Sequence, residues 1–378
     1  MDILYENKEA CCGCGACADI CPGNCITMEQ DSEGFSYPHI NKEKCVDCGR
    51  CIGVCPFKSK KDEHSVIGCY GCYSNIDEER KRSSSGGVFS LFAKKVIGDK
   101  GIVFGTAMTA DCKMAVVSTA EDFDSLKKLC GSKYLQSDPE DSFLRVKNEL
   151  AKGRKVLYSG TPCQINGLKN YLGKEYDNLL CLEIICHGVP SPLLWKKYVQ
   201  YVEDNHNGKM THVNFRCKEK GWANFGAEET VNGKRFFKSK DYDPFLQMFL
   251  KNYCLRPSCY ACQAKEHRTA DITIGDFWGV DSIMPDMNDR KGISLVIIRT
   301  KKGQQAFSDI QQDCKYKECD YEAAIQKNTA EKHSVPLPAQ RKTFFEDLNS
   351  KPFKKIISIY LENPIIKKLK KIYRKIVR

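Results

Sequence analysis

The sequence predicts a small α+β module at its start, followed by a larger α/β core built on a mixed sheet. Three observations carry that prediction. A cysteine pattern occurs twice within the first 56 residues, in a segment too short to bury much apolar surface of its own. From residue 88 onward, stretches with the 3.6-residue apolar period of helices are interspersed with short runs of β-branched and aliphatic residues, as an α/β chain requires. A length of 378 residues fits two or three domains, and 42% apolar composition is enough to build their cores. The expected division is residues 1–60, residues 61–340 and a basic amphipathic tail over 341–378.

Composition narrows the function classes. The opening MDILYENKEA lacks a basic region followed by an apolar one, and no uncharged apolar run approaches the length of a membrane span. A cytosolic setting is therefore expected, where the 23 cysteines stay reduced and serve metals rather than disulfides. The formal charge is +11, but residues 351–378 hold ten Lys and Arg against Glu362 alone, leaving about +2 for the rest. A nearly neutral body argues against a nucleic-acid-binding surface.

The N-terminal module is defined by Cys-x2-Cys-x2-Cys-x3-Cys-Pro. It appears as Cys11, Cys14, Cys17, Cys21 and Pro22, and again 34 residues later as Cys45, Cys48, Cys51, Cys55 and Pro56. Three thiolates spaced two residues apart wrap three corners of a cubane, and the fourth, before a chain-turning proline, serves the other cluster. One 4Fe-4S cluster is thus expected on Cys11, Cys14, Cys17 and Cys55, and a second on Cys45, Cys48, Cys51 and Cys21. Zinc is the bland alternative, but its sites usually pair separated Cys-x2-Cys units. Between the two sets, residues 25–41 read as a hairpin whose Ile26, Met28, Phe35, Tyr37 and Ile40 can face the clusters. Cys12 and Cys25 fall off the ligand spacing and read as buried thiols.

Residues 58–66 are polar and read as a linker. Cys69 and Cys72 have the form of half a zinc site, yet no second pair sits nearby, so free thiols are the expectation. The run Arg82 to Gly87 leads into a helical pattern of Val88, Phe89, Leu91, Phe92, Val96 and Ile97. Serine caps a helix, and glycines let backbone N–H groups approach an anion such as a flavin pyrophosphate; a plain N-cap explains the run equally well. A strand follows at Ile102 to Phe104. A second loop of the same character, Gly131, Ser132, Lys133 and Tyr134, precedes Asp138-Pro139 and a helix bearing Phe143, Val146 and Leu150, closed by Gly153.

Two similar units come next. The strand at residues 155–159 runs into Gly160, Thr161, Pro162, Cys163 and Gln164; the strand at residues 179–185 runs into Cys186, His187 and Gly188, then a helix from Ser191-Pro192. Both cysteines sit where strand gives way to helix, the edge at which α/β sheets place ligands. Structural thiols, a Cys–His nucleophile with His187, and metal ligation all remain open at this point. Cys259 and Cys262 form another pair in search of partners, and with Cys163 and Cys186 they make four thiolates, enough for a third 4Fe-4S cluster or a zinc. The strand at residues 271–274 delivers Asp276 and Trp278 to a loop, where an aromatic ring covers a planar cofactor and a carboxylate bonds it, or where Trp278 is simply core.

The ordered runs SSSGGVFS, GSKY, GTPCQINGL, ICHGVPSP, FRCKEKGW, LRPSCYAC and DITIGDFWG resemble the coenzyme F420 hydrogenase/dehydrogenase beta-subunit family, here behind a two-cluster ferredoxin domain. The resemblance covers roughly residues 5–310. It implies FAD and at least one 4Fe-4S cluster in the core, and an iron–sulfur flavoprotein oxidoreductase that passes electrons from ferredoxin or a partner subunit to a two-electron acceptor. That acceptor is coenzyme F420-like, or an intermediate of cell-surface polysaccharide synthesis; the alternative is an electron-transfer subunit without a substrate of its own. The resemblance makes Ser84, Ser85, Gly86, Gly87, Gly131, Ser132, Lys133 and Tyr134 candidate FAD contacts, and Cys163, Cys186, Cys259 and Cys262 candidate ligands of a core cluster. The chain departs from the family at Cys217, where Asp is expected, and at Cys69 and Cys72, where small apolar residues are usual.

The strand at residues 293–300 precedes a Lys-rich helix, and Cys314, Cys319, Asn328 and His333 show no usable ligand spacing. From Pro364 on, Ile365, Ile366, Leu369, Ile372, Tyr373, Ile376 and Val377 share one helical face opposite Lys and Arg. That is the pattern of peripheral contact with an anionic membrane, and equally of a partner-docking helix.

Overall fold

Nine strands form one mixed sheet in the order Cys314–Glu318, Gly68–Ser74, Ser294–Ile298, Ile272–Asp276, Leu179–Ile184, Val156–Gly160, Ile102–Met108, Ala115–Ala120 and Ser137–Asp138. The computed structural model describes residues 4–60 and 62–362. Four neighbouring strands, Ile102–Met108, Val156–Gly160, Leu179–Ile184 and Ile272–Asp276, run parallel, and antiparallel pairs extend the sheet on either side. Their sequences are near-continuous apolar runs because both faces are covered. Alternation along each strand decides the layer: Val156 and Tyr158 pack with Phe143, Val146, Ile165 and Leu168 of the helices Ser142–Ala151 and Pro162–Leu172. Leu157 points the other way, into a layer with Leu91, Phe92 and Val96 of the helix Val88–Gly98 and Phe307 of Lys301–Ser308.

A second, three-stranded antiparallel sheet joins Met210–Cys217, Gly226–Val231 and Lys234–Ser239. With the helices Pro192–His206, Pro244–Leu250, Arg341–Ser350 and Phe353–Tyr360 it encloses an aromatic core of Trp195, Tyr198, Phe215, Phe245, Phe344 and Phe353. The N-terminal hairpin, Ile26–Gln30 with Ser36–Ile40, adds Phe35 and Tyr37 to that core. Ile26 and Ile40 instead pack around Cys17, Cys21, Cys25, Cys45 and Cys51. The chain is thus a small ferredoxin-like region seated on a large α/β core.

Several boundaries differ from the sequence expectation. The strand expected to stop at residue 274 continues to Asp276, because Gly275 and Asp276 pair with Leu295 and Ser294. The helix expected from Asp138-Pro139 begins only at Ser142, since Ser137–Asp138 is taken up as an edge strand beside Ala115 and Val116. The amphipathic pattern from Pro364 lies outside the described residues. No described helix is long and apolar enough to cross a membrane.

Candidate functional site

The carboxyl ends of the parallel strands open into a cleft of about 640 Å³. Gly105 and Thr106, Ser159 and Gly160, Ile184 to Cys186, and Gly275 and Asp276 all reach it, the position at which open α/β sheets bind ligands. Two loops complete its wall and are tied to each other. The Ser84 and Ser132 hydroxyl oxygens lie 2.8 Å apart, and the Ser132 N–H donates to Ser84 Oγ at 2.7 Å. Gly87, at φ +87°, starts the helix Val88–Gly98 with no side-chain cap, so the first N–H groups of that helix adjoin the cleft uncapped.

Nine of the ten residues predicted to hold a cofactor line this one cleft: Ser84, Ser85, Gly87, Gly131, Ser132, Lys133, Tyr134, Asp276 and Trp278. Gly86 has a different task. Its N–H donates to Ser294 Oγ at 3.0 Å, and a Cβ there would stand 2.4 Å from the Cys72 carbonyl oxygen, so it lets the loop lie against the sheet. Ser85 Oγ is committed to the Ile293 carbonyl at 2.6 Å. The Lys133 ammonium donates to the Cys130 and Gly131 carbonyls at 2.8 and 3.2 Å, and burial lowers its pKa to about 8.

Asp276 Oδ1 accepts from Arg216 Nη2 at 2.7 Å and from Trp222 Nε1 at 2.6 Å. Trp278 is stacked on Trp222, with ring centroids 4.7 Å apart and planes within 4°. The Arg216 guanidinium lies 3.8 Å from the centre of the Phe225 ring. Sequence reasoning misses Arg216, although it stands in FRCKEKGW; an arginine beside Phe215 on a strand is the signal that could have found it. His187 is engaged by Asn252, with Nε2 2.7 Å from Oδ1, and burial lowers its pKa. The imidazole thus has an amide rather than a thiol as partner, and a Cys–His nucleophile is not assembled.

Cys163 stands in the first turn of Pro162–Leu172, 3.1 Å from Thr161 Oγ1. Cys186 follows the strand Leu179–Ile184, and Cys259 and Cys262 bracket the end of the short 3-10 turn Pro257–Ala261. These four thiols oppose one another's ionisation: Cys259 is pushed up by burial, then by Cys186, Cys262 and Cys163. Cys186 is pushed up to about 12, chiefly by burial, while Lys265 counteracts. The Lys265 ammonium donates to the Cys186 carbonyl at 2.7 Å.

In the module, Cys17 is raised to about 12 by burial and then by Cys11 and Cys55; Cys14, though lowered by Cys12, is raised on balance by burial and then by Cys17 and Cys55. The chain therefore gathers Cys11, Cys14, Cys17 and Cys55. Cys51 is opposed by Cys48 and Cys21, and Cys45 lines one small pocket with Cys21, Cys48 and Cys51. Cys25 stands beside that second group, with its Sγ 3.2 Å from Cys21 Sγ. Cys12, which falls off the ligand spacing, interacts with Cys14 and Cys163 and lines the cleft. The three groups adjoin in order: Cys17 packs in one cluster with Cys21, Cys45 and Cys51, exposed Cys48 beside them; Arg256 joins Cys11 to the segment that carries Cys259; and Cys163 and Cys186 line the cleft.

Tetrahedral zinc with Zn–S bonds of about 2.3 Å would bring its thiolates within about 4 Å of one another. Among the described residues, the one set of three or more His, Cys, Asp or Glu ligand atoms mutually within 4.8 Å is Cys217, Glu219 and Glu228. Among the described residues, none of the three cysteine groups is drawn in that tightly. Cys217 Sγ donates to Glu228 at 3.2 Å, and Arg235 pairs with both glutamates, which accounts for that set without a metal.

Residues 153–324 match the family described as the C terminus of the coenzyme F420 hydrogenase/dehydrogenase beta subunit, and residues 10–59 match a 4Fe-4S dicluster domain. A coenzyme F420-dependent sulfite reductase of Methanocaldococcus jannaschii is 26% identical over 314 residues, 79% of this chain and 46% of that protein, so the chain spans about half of that relative. An uncharacterized protein of the same organism is 24% identical over 340 residues, covering 80% of this chain and 86% of that one. A chain from the xenon-derivatised F420-reducing NiFe hydrogenase complex of Methanosarcina barkeri aligns with a TM-score of 0.44 and 18% identity, over 80% of this chain and 97% of that one.

Proposed function

We infer that residues 153–324 of this chain belong to the family formed by the C terminus of the coenzyme F420 hydrogenase/dehydrogenase beta subunit, and that residues 10–59 are a 4Fe-4S dicluster domain. From that premise we propose an iron–sulfur, flavin-dependent oxidoreductase linking a one-electron donor to a two-electron acceptor. The observation that carries the reading is the set of three adjoining cysteine groups, from the exposed Cys48 to a cleft fit for a planar cofactor. Iron–sulfur clusters supply one-electron transfer, and a flavin supplies exchange in ones and twos.

The residues fit these groups. Cys11, Cys14, Cys17 and Cys55, and Cys21, Cys45, Cys48 and Cys51, are the thiols proposed for the two clusters of the dicluster domain. Cys163, Cys186, Cys259 and Cys262 are proposed for a third, with the Lys265 ammonium beside them as compensating charge. In the cleft, the uncapped start of Val88–Gly98 and the Lys133 ammonium would face the diphosphate of FAD, and the ring of Trp278, held by Trp222, would face a flat ring system. Asp276 fixes Arg216 and Trp222, so this wall is pre-formed rather than assembled on binding.

Coenzyme F420 use by the sulfite reductase relative supports a deazaflavin as the two-electron partner, and an intermediate of cell-surface polysaccharide synthesis is the other proposed acceptor. A ferredoxin or redox subunit is proposed to dock where Val46, 73% exposed, stands among Cys48, Lys44 and Arg50 on the open side of the module. The decisive experiment is acid release of cofactors from anaerobically purified protein. About one flavin and about twelve irons per chain are expected, since each cubane holds four. Absence of stoichiometric flavin would remove the enzyme reading, and about eight irons would remove the third cluster.

A further inference from the structure

Arg256 is fully buried, at 0% exposure, and carries a charge for which the described residues offer no carboxylate within ion-pair distance. Its donors go to neutral groups: Nε to the Cys11 carbonyl at 2.8 Å, Nη1 to Gln136 Oε1 at 2.9 Å, and Nη2 to the Ser36 carbonyl at 3.0 Å. The remaining contact is Nη2 to Cys11 Sγ at 3.6 Å, and the guanidinium lies 4.2 Å from the centre of the Tyr37 ring. Gly13 makes room for it: a Cβ at that position would stand 2.7 Å from Nη1. An unpaired guanidinium in such a place is strongly disfavoured unless negative charge is supplied from elsewhere.

The groups it bonds belong to two different sets. Its side chain bonds the Cys11 carbonyl of the module, and its own carbonyl accepts from the Cys259 N–H of the core at 2.9 Å. Lys265, by contrast, reaches only the core set, through Cys186, Cys262 and Cys259.

We propose that Arg256 is a positioning residue whose counter-charge is the pair of thiolate-bound centres on either side of it: it holds the Cys11 centre and the core centre at less negative reduction potentials and fixes them next to each other. Positive charge beside a centre favours its reduced, more negative form, and the fork to the Cys11 and Ser36 carbonyls ties the module to the core segment that carries Cys259. The inference rests on the third cluster proposed above for its core half; its module half stands on the dicluster domain alone.

Redox titration followed by electron paramagnetic resonance, with iron and sulfide analysis on the same samples, tests it. In Arg256→Gln, the signals of the Cys11 centre and the core centre should move to more negative potential, while the centre on Cys21, Cys45, Cys48 and Cys51 stays as an internal control. Arg256→Lys keeps the charge and should restore most of the shift. Unchanged potentials in fully loaded Arg256→Gln overturn the proposal, as does an equal shift of all three centres. If Arg256→Gln does not retain iron, Arg256→Lys decides: full iron at nearly wild-type potentials is expected, and iron loss or the full shift there overturns it. About eight irons in the unsubstituted protein would instead sink the third cluster, leaving the predicted shift of the Cys11 centre to be judged separately.

Discussion

Replacing Cys259 and Cys262 together by Ser should remove about four irons per chain while the signals of the dicluster domain persist. Unchanged iron would show that these thiols do not hold a cluster. A second residue-scale expectation concerns charge. The hydroxyl of buried Tyr198 contacts both Glu229 and Asp243, and one hydroxyl has one hydrogen to give. Burial, then the neighbouring Asp243, raises the Glu229 pKa to about 7. A carboxyl whose pKa is raised on folding binds its proton more tightly in the folded state, so stability falls as pH rises from the model-peptide value toward 7 and the cost is complete above it. Glu229→Gln should therefore be more stable than the parent at pH 8, by on the order of 1–3 kcal/mol, and close to it at pH 5. Thermal denaturation at the two pH values measures this; an advantage of equal size at both would refute the assignment. Residues of this kind are invisible in the sequence. Glu229 and Arg256 look like surface charges until the fold buries them, whereas the eight cysteines of the repeat announce themselves by spacing alone.

At the scale of single elements, the outcome for Cys69 and Cys72 follows from strand geometry. In the strand Gly68–Ser74, residues three apart point to opposite faces, so Cys69 packs with Phe277 and Leu295 while Cys72 packs with Leu91 and Val296. Two thiols on opposite sides of a sheet cannot share a metal. Each meets a thiol from the neighbouring edge segment instead: Cys319 Sγ lies 3.6 Å from Cys69 Sγ, and Cys72 interacts with Cys314. Changing Cys69 and Cys72 together to Ser should leave iron content unaltered, and any loss of iron would contradict their placement. The same Cys-x2-Cys spelling at Cys259 and Cys262 lies in a 3-10 turn and beyond it, where both thiols reach one group. Spelling is legible in the sequence; the backbone conformation that gives it meaning is legible only where turn residues surround it. The loop Ser83 to Gly87 shows the complementary case. Its glycines are readable as a helix start, but Gly86 serves the sheet and Gly87 the cleft, a division set by which face the loop turns to Ser294.

For the whole molecule, the mixed sheet and its strand-end cleft could be anticipated from alternating patterns, whereas the three-stranded sheet and the C-terminal helices that close the aromatic core could not, because their contacts join residues far apart in sequence. The open side of the module is the docking face proposed for a partner. Reversing Lys44 and Arg50 to Glu should slow reduction by an acidic ferredoxin by roughly tenfold at low ionic strength, with the difference shrinking as salt is raised. Stopped-flow reduction at several salt concentrations checks this, with dithionite reduction unchanged as the control; a salt-independent effect would argue against charge steering. The exchange of Cys21 and Cys55 between the two cysteine groups has one more consequence. On the proposed ligand sets, a single 34-residue unit holds three corners of its own centre and offers the fourth corner to a neighbour. A free-standing unit of this kind completes a centre only in company with a second copy. The tandem arrangement is therefore what a symmetrical pair of small chains becomes when joined end to end, and filling either centre organises ligands for the other, so the two should be acquired together during maturation rather than one at a time.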